Sequence, residues 1–492
     1  MTSMPPPARP PGPPDRWFGI PLLRAMADDY LGFVTSLQRR YGDLTFTRMG
    51  GERMVDVFDP ELARQVLVDH ADDVIRWERG MEIFSQAFGN SVLVTEGDTW
   101  RRQRRMLHPA FTPRHVGGLA GLMATAAGRA LDDALPRGDG ALVDIEALMT
   151  RLTMDVIFRA LFGQAADRNE AEAAAWAIQA LSRRAFREMF WPLTLPDWLP
   201  LPGKAQKRRA LRVLHGTVAA QIDGRRCRGA PPEGDLLGLL LAAQDESASG
   251  PTKQEIHDQC LVVFQAGHET TATALAWWSR LVAEHPDVSA RLCAEVDEVL
   301  GDRTPGSEDI PRLVFLNATL HEAMRLYPPV AALMGRRALR PMTLGDWTLP
   351  SGTLLRLTPW VIHRDPRWFP DPDAFRPERF LPGAAAPRKG SYMPFGAGPR
   401  VCLGQHFALL EMGIVAAMLL QRCTLVVPTG EPRPEPQLQV TLRPRGGIRL
   451  FLQPRYPRKA VPEFTCSSYQ PGANYICSAR IKGERTFDRG KY

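Results

Sequence analysis

Apolar residues recur with a helical period over most of the chain and alternate in a strand-like way in only a few short stretches. Tyr30 to Tyr41 has helical spacing. Leu44 to Arg48 and Met54 to Phe58, joined through Gly50-Gly51, read as a β-hairpin. Asp59-Pro60 opens another helix. Residues 78 to 98 show no clear period and hold several glycines, which predicts a loop with short helical pieces. Trp100 then opens a helix. Residues 115 to 230 are Ala/Leu-rich with helical periodicity, broken from Trp191 to Pro202 by four prolines. A short Leu-rich helix lies between Pro231 and Ser249.

Thr252-Lys253-Gln254-Glu255 is a capping box, so a helix starts there and runs to about Glu284, before His285-Pro286. At ~1.5 Å per residue it spans roughly 48 Å. Its flanks, Leu261-Val262-Val263-Phe264 and Ala274-Leu275-Ala276-Trp277-Trp278, are apolar on every side, which predicts burial. Yet its centre reads Ala266-Gly267-His268-Glu269-Thr270-Thr271. Burying an acid and two hydroxyls beside a glycine costs stability and needs a reason. Taken alone, Thr270 could bond back to the Ala266 carbonyl and Glu269 could find an ion pair. Further on, Pro328 to Met334 turns into a strand. Met342 to Leu344, Thr348-Leu349 and Thr353 to Leu357 read as a small antiparallel sheet, and Leu438 to Leu442 and Gly447 to Leu452 as closing strands. The pattern is mainly α with a small β region.

The ends differ from this body. Residues 1–16 form a Pro-rich arm. After Pro454 the periodicity stops, and 454–492 reads as a basic tail without regular structure. That tail carries five of the chain's seven net positive charges, leaving a body too weakly basic to suggest nucleic acid. Seven cysteines (227, 260, 293, 402, 423, 466 and 477) form no C-x-x-C pair, which argues for a reducing, cytoplasmic setting. No stretch approaches the roughly 20 apolar residues of a membrane span, and prolines fill the place of a signal peptide's apolar run.

The candidate chemistry centres on Phe395-Gly396-Ala397-Gly398-Pro399-Arg400-Val401-Cys402-Leu403-Gly404. Three glycines and a proline make a tight loop, and Gln405 to Leu419 reads as an apolar helix after it. A cysteine at a helix N-terminus, with Arg400 two residues away, is expected to favour thiolate. A single thiolate on a Gly-rich loop suits a flat metal cofactor needing one axial sulfur. A buried structural cysteine is the bland alternative.

The order Phe-Gly-x-Gly-x-Arg-x-Cys-x-Gly resembles the haem-binding loop of the cytochrome P450 family, and four more motifs follow suit over about residues 30 to 453. Ala266 to Thr271 matches the family's Ala/Gly-Gly-x-Asp/Glu-Thr-Thr pattern. Glu322 and Arg325 match its Glu-x-x-Arg pair, completed by Arg379 in Pro377-Glu378-Arg379-Phe380. Trp100 and Arg104 match its Trp-x-x-x-Arg pair, and Arg336, nine residues before Gly345, its second propionate-binding arginine.

The resemblance implies one large domain (17–453) of that fold, with haem b, iron protoporphyrin IX, between the long central helix and the helix after Cys402. It implies Cys402 as axial thiolate and metal ligand, with Phe395, Arg400, Trp100, Arg104, Arg336, Ala266 and Gly267 around the cofactor. Gly267 would make room for dioxygen, and Glu269 and Thr270 would deliver protons to it. Glu322, Arg325 and Arg379 would form a structural triad. The implied reaction puts one atom of dioxygen into a lipophilic small molecule such as a fatty acid or terpenoid, past an apolar wall at Val330 to Met334. Electrons would come from a separate ferredoxin- or flavodoxin-type donor with its reductase, since no flavin or nicotinamide module follows the haem domain. Arg101, Arg102, Arg105 and Arg400 would offer it a basic face. A peroxygenase or isomerase of the same fold, which would usually lack the Glu269-Thr270 pair, and a non-catalytic haem-thiolate sensor are the alternatives.

Overall fold

Thr252 caps a 32-residue helix by accepting from the Glu255 amide while Glu255 accepts from its own, and the rest of the molecule is laid against that rod. In this computed structural model the described residues are 9–14, 16–135, 140–190, 197–199, 201–228, 234–245 and 250–455. The helices before the rod are α1 (Ile20–Asp28), α2 (Tyr30–Tyr41), α3 (Pro60–Arg64), α4 (Glu78–Phe88), α5 (Gly97–Leu107), α6 (Pro113–Gly118), α7 (Ala120–Ala134), α8 (Ile145–Phe162), α9 (Arg168–Phe190), α10 (Lys204–Arg228) and α11 (Leu236–Asp245). The rod is α12 (Lys253–Glu284). After it come α13 (Pro286–Val299), α14 (Val314–Leu326), the short α15 (Pro359–Ile362) and α16 (Gln405–Arg422).

α12 packs against α8, α10, α14 and α16. Its C-terminal half is buried on all sides, as the unbroken apolar pattern requires. Trp277 and Trp278 are wholly enclosed there, and each indole N–H has a partner, the Leu442 carbonyl at 2.8 Å and the Thr319 hydroxyl at 2.9 Å. α9 and α10 pack together. Buried Lys204 and Lys207 tie them by pairing with Glu188 at 3.2 and 2.9 Å. Most of the expected break between these helices lies outside the described residues.

The β region is more divided than its pattern predicts. β1 (Leu44–Met49) and β2 (Glu52–Val57) form the expected hairpin, but β2 then pairs in parallel with β8 (Leu354–Leu357). β5 (Arg336–Ala338) and β3 (Val74–Arg76) complete a five-stranded sheet in the order β1-β2-β8-β5-β3. β6 (Met342–Leu344) and β7 (Trp347–Leu349) form a separate hairpin, so residues 353 to 357 do not join them as expected. Residues 438 to 442 are not one strand: Leu438 ends β10 (Pro436–Leu438), Leu442 opens β11 (Leu442–Pro444), and residues 439–441 turn between them. β12 (Arg449–Pro454) pairs with β9 (Cys423–Val426) and with β4 (Ala141–Asp144), two strands too short to show alternation.

α4 is an 11-residue helix where a loop with helical pieces was expected. Gly80, one of the residues that obscured it, is there for packing: a Cβ would sit 2.6 Å from the Met334 sulfur. Residues 9–14 lie beside β1, with the Pro11 carbonyl accepting from the Phe46 amide at 2.8 Å. Residues 456–492 lie outside the described set, so the expectation of an irregular tail falls there.

Candidate functional site

A cavity of about 930 Å³ lies under α12, walled by α4, α9 and the loop that carries Cys402. Its surface is mainly apolar. Val330, Ala332, Leu333 and Met334 line it as expected, while Ala331 packs into the core.

The Cys402 loop depends on glycine at two places. Gly396 and Gly398 hold φ of +74° and +73°, and a Cβ on Gly398 would lie 1.9 Å from the Leu67 carbonyl oxygen. The Cys402 amide donates to the Phe395 carbonyl at 3.0 Å, closing the loop. Cys402 and Phe395 both line the cavity, and Cys402 is exposed there. The expected thiolate preference does not hold for the protein alone. Burial pushes the Cys402 thiol up, with the Gly404 amide and Arg104 pulling the other way.

Arg400 is not the cation acting on that sulfur. It stacks 3.8 Å over the Trp100 ring and donates to the Thr95 carbonyl at 3.0 Å and to Glu96. Arg104 sits beside the same ring at 5.9 Å and donates to the Val401 carbonyl at 3.0 Å, tying α5 to the loop. Arg336 is buried in the cavity wall and donates to the Met334 carbonyl, whereas its neighbour Arg337 is taken up by Glu52 and Glu78. A fourth cation, Arg76 on β3, went unnoticed in the sequence, where nothing marks it. It binds Glu96 at 2.8 Å and also lines the cavity.

These arginines outnumber their counter-ions. Glu96 pairs with both Arg76 and Arg400, and its charge also acts on Arg336. Burial first, then mutual repulsion, pushes Arg336 down to about 10 and Arg400 to about 9. A buried cation surplus beside an apolar cavity suits a ligand with two carboxylates and a flat apolar body, and the residues present fit a haem.

α12 faces the cavity with Ala266, Gly267, Glu269 and Thr270. Thr270 donates to the Ala266 carbonyl at 2.9 Å, the bond its sequence context allowed, with its oxygen still at the cavity wall. At Gly267 a Cβ would lie 2.6 Å from Ile157 Cδ1, so its missing side chain also brings α12 close to α8, and Ala266 beside it is exposed to the cavity. Glu269 is buried and does not bond Thr270. It accepts from Ser182 at 2.9 Å, from Thr441 at 2.9 Å, and from Arg443 at 3.1 and 3.0 Å.

Behind the loop, Glu322 and Arg325 are wholly buried and joined by two bonds of 2.7 Å. Arg325 also donates to the carbonyls of His363, Pro372 and Ala374. Arg379 reaches Glu322 at 3.4 Å, so the structure brings the three residues together. Buried His363 completes the link by accepting the Met393 amide at 2.9 Å, next to the Cys402 loop. Of the outer arginines, Arg101 pairs with Asp98 and Asp72, and Arg102 with Glu255, which reduces the basic face expected of them.

The family profile described as Cytochrome P450 matches residues 10–451. Cyclooctatin synthase of Streptomyces melanosporofaciens is 34% identical over 449 residues, covering 89% of this chain and 95% of that protein. Cyclooctat-9-en-7-ol 5-monooxygenase of the same organism is 35% identical, covering 85% and 92%. Cytokinin hydroxylase of Arabidopsis thaliana is 32% identical, covering 86% and 83%. Among solved structures, retinoic acid bound cyanobacterial CYP120A1 superposes with a TM-score of 0.78 at 26% identity, covering 91% of this chain and 99% of that one.

Proposed function

The chain belongs to the cytochrome P450 family, and from that premise we propose a haem-thiolate monooxygenase of uncharged lipophilic small molecules. The observation that carries this is the single exposed thiol of Cys402 in an apolar cavity beside a surplus of buried arginines. Haem b, when bound, supplies activation of dioxygen and transfer of one oxygen atom to a C–H or C=C bond.

The chain's own residues do the rest. Cys402 would hold the haem iron through its sulfur. Arg76, Arg336 and Arg400 would pair with the haem's carboxylates, while Arg104 and Trp100 hold the loop and ring stack. Glu322, Arg325 and Arg379 fix the loop's support. The Thr270 hydroxyl would hold a proton at the cavity wall, and Glu269 would relay protons inward from solvent to it.

Between a fatty acid and a terpenoid-like lipophile, the described wall favours the uncharged one. Beyond the arginine cluster, the cavity's guanidinium groups are occupied, Arg356 by Asp56 at 2.7 Å and Arg79 by the Glu188 carbonyl at 3.0 Å. Among the described residues, a carboxylate tail would meet no unpartnered cation there. A separate ferredoxin- or flavodoxin-type donor with its reductase provides electrons. The free thiols of Cys227, Cys260, Cys293 and Cys423 support a reducing, cytoplasmic location. Among the described residues no helix is long and apolar enough to cross a membrane.

The test is spectral. Reduced protein with carbon monoxide should show the red-shifted Soret band of thiolate ligation, and Cys402→His should lose it together with oxygenation. Persistence of the band in that variant defeats the reading. Neutral terpenoids should shift the spin state where fatty acids of similar size do not.

A further inference from the structure

Glu269 is held by a guanidinium that a second carboxylate also holds. Arg443, buried on β11, gives its Nε and Nη2 to Glu269 at 3.1 and 3.0 Å, and its Nη1 to Glu146 at 2.8 Å. Glu146 stands in the first turn of α8 with 19% of its side chain exposed, against 6% for Glu269. Around the three lie exposed Asp144, which caps α8, and His268, held neutral by burial with its pKa near 4. Arg449, opposite Asp144 in the sheet, is committed to Glu431.

Thr270 receives no bond from Glu269 in this arrangement, so Glu269 must turn to serve it. A guanidinium stays protonated and cannot pass a proton along. What can change is which carboxylate it serves. If Glu269 turned away with no other partner for Arg443, a buried cation would be left alone, a costly state. Glu146 removes that cost, because it remains in place as the counter-charge.

We propose that Glu146 is a positioning residue which, by sharing Arg443 with Glu269, lets Glu269 leave the guanidinium and turn to the cavity. The inference rests on the monooxygenase reading. The proton Glu269 gives goes to the oxygen that leaves as water and is replaced from solvent, and the electrons come from the redox partner. Burial raises the Glu146 carboxyl pKa, and Asp144 and Glu269 add to that while Arg443 opposes it, so protonation near its raised pKa should mimic its removal.

Glu146→Gln tests this in the haem-loaded enzyme with its donor. Product per electron pair should fall roughly 10-fold, a part of the ~10²–10⁴-fold that positioned proton transfer is worth. Peroxide should rise, the solvent isotope effect should grow, and substrate-induced spin shifts should be kept. Wild-type coupling should decline towards acid, whereas the variant should be low and flat. A second measurement needs no turnover. In unfolding experiments, each single change, Glu146→Gln or Glu269→Gln, leaves Arg443 one carboxylate, and the double leaves none. The double should therefore cost more than the two singles together. Unchanged coupling in Glu146→Gln with a normal carbon monoxide band, or strict additivity in the cycle, overturns the proposal. Loss of the band in wild type would instead defeat the monooxygenase reading itself.

Discussion

At the scale of single residues, the cavity wall sets charges against burial, and two of them give predictions of opposite kind. Arg336 is a buried cation whose pKa is pushed down to about 10, so the haem-free protein bears its cost. Arg336→Met should raise the unfolding temperature of the haem-free form. It should also weaken haem retention roughly 30-fold, the worth of a charged hydrogen bond of about 2 kcal/mol. A variant that is less stable without haem yet keeps haem as tightly would refute the assignment. Glu411, on α16, is wholly buried with neither oxygen bonded, and burial holds its carboxyl well above the usual 4.5, against an opposing pull from nearby Thr271. The folded state therefore keeps a proton that the unfolded chain sheds, and stability falls as pH rises above about 4.5, by about 1.4 kcal/mol per unit. Glu411→Gln should be more stable than wild type at pH 7 and should lose that advantage as pH nears 4.5. Chemical unfolding at both pH values checks it, and a constant difference would sink it. The sequence named Arg336 by its distance from Gly345, while its neighbour Arg337 carries the same side chain. Only the pairing of Arg337 with Glu52 and Glu78, 285 and 259 residues away, separates them. Arg76 and Arg443 had no local signal at all, because their partners come from distant elements.

At the scale of elements, legibility followed the range of the forces involved. α12 could be read almost to the residue, because a capping box and a His-Pro stop are local devices. α2 and the β1–β2 hairpin were equally plain. The misread strands are those whose pairing is set by non-neighbours: β8 joins β2 in parallel across some 300 residues, which no alternation of three or four positions announces. The centre of α12 was visible as an anomaly but not as an arrangement. Thr270 makes the back-bond to Ala266 that a helix alone would give it, so the bond does not decide its role. Thr270→Ala does. A purely helical role predicts altered stability with product still tied to electrons consumed. The proton-holding role predicts that reductant is still used but that much of it leaves as hydrogen peroxide, with substrate spin shifts unchanged. Product, peroxide and reductant measured together distinguish the two.

At the scale of the whole molecule, the Cys402 loop is held in place from behind by a column that crosses three segments of chain. Arg325 on α14, paired with Glu322, fixes the backbone at His363, Pro372 and Ala374, and His363 then receives the Met393 amide beside the loop. His363 can accept that amide only while neutral. Burial, reinforced by Arg325 and Arg364, pushes its pKa from 6.5 down to about 3. The sign follows from proton counting. Below pH 6.5 the unfolded chain takes up a proton that the folded protein refuses, so this residue lowers stability as pH falls, by about 1.4 kcal/mol per unit. Buried carboxyls such as Glu411 act in the opposite direction at higher pH, so total stability alone does not isolate the effect. A comparison does. His363→Gln keeps an acceptor for the Met393 amide but cannot be protonated. It should be less stable than wild type at pH 7, through poorer packing, and should lose less stability between pH 6.5 and 5. The haem-loaded proteins, unfolded in guanidinium across that window, should show the gap closing by about one proton's slope, with the carbon monoxide band of wild type fading earlier on acidification than that of the variant. Parallel stability curves would mean that His363 is not the group through which acid reaches the loop.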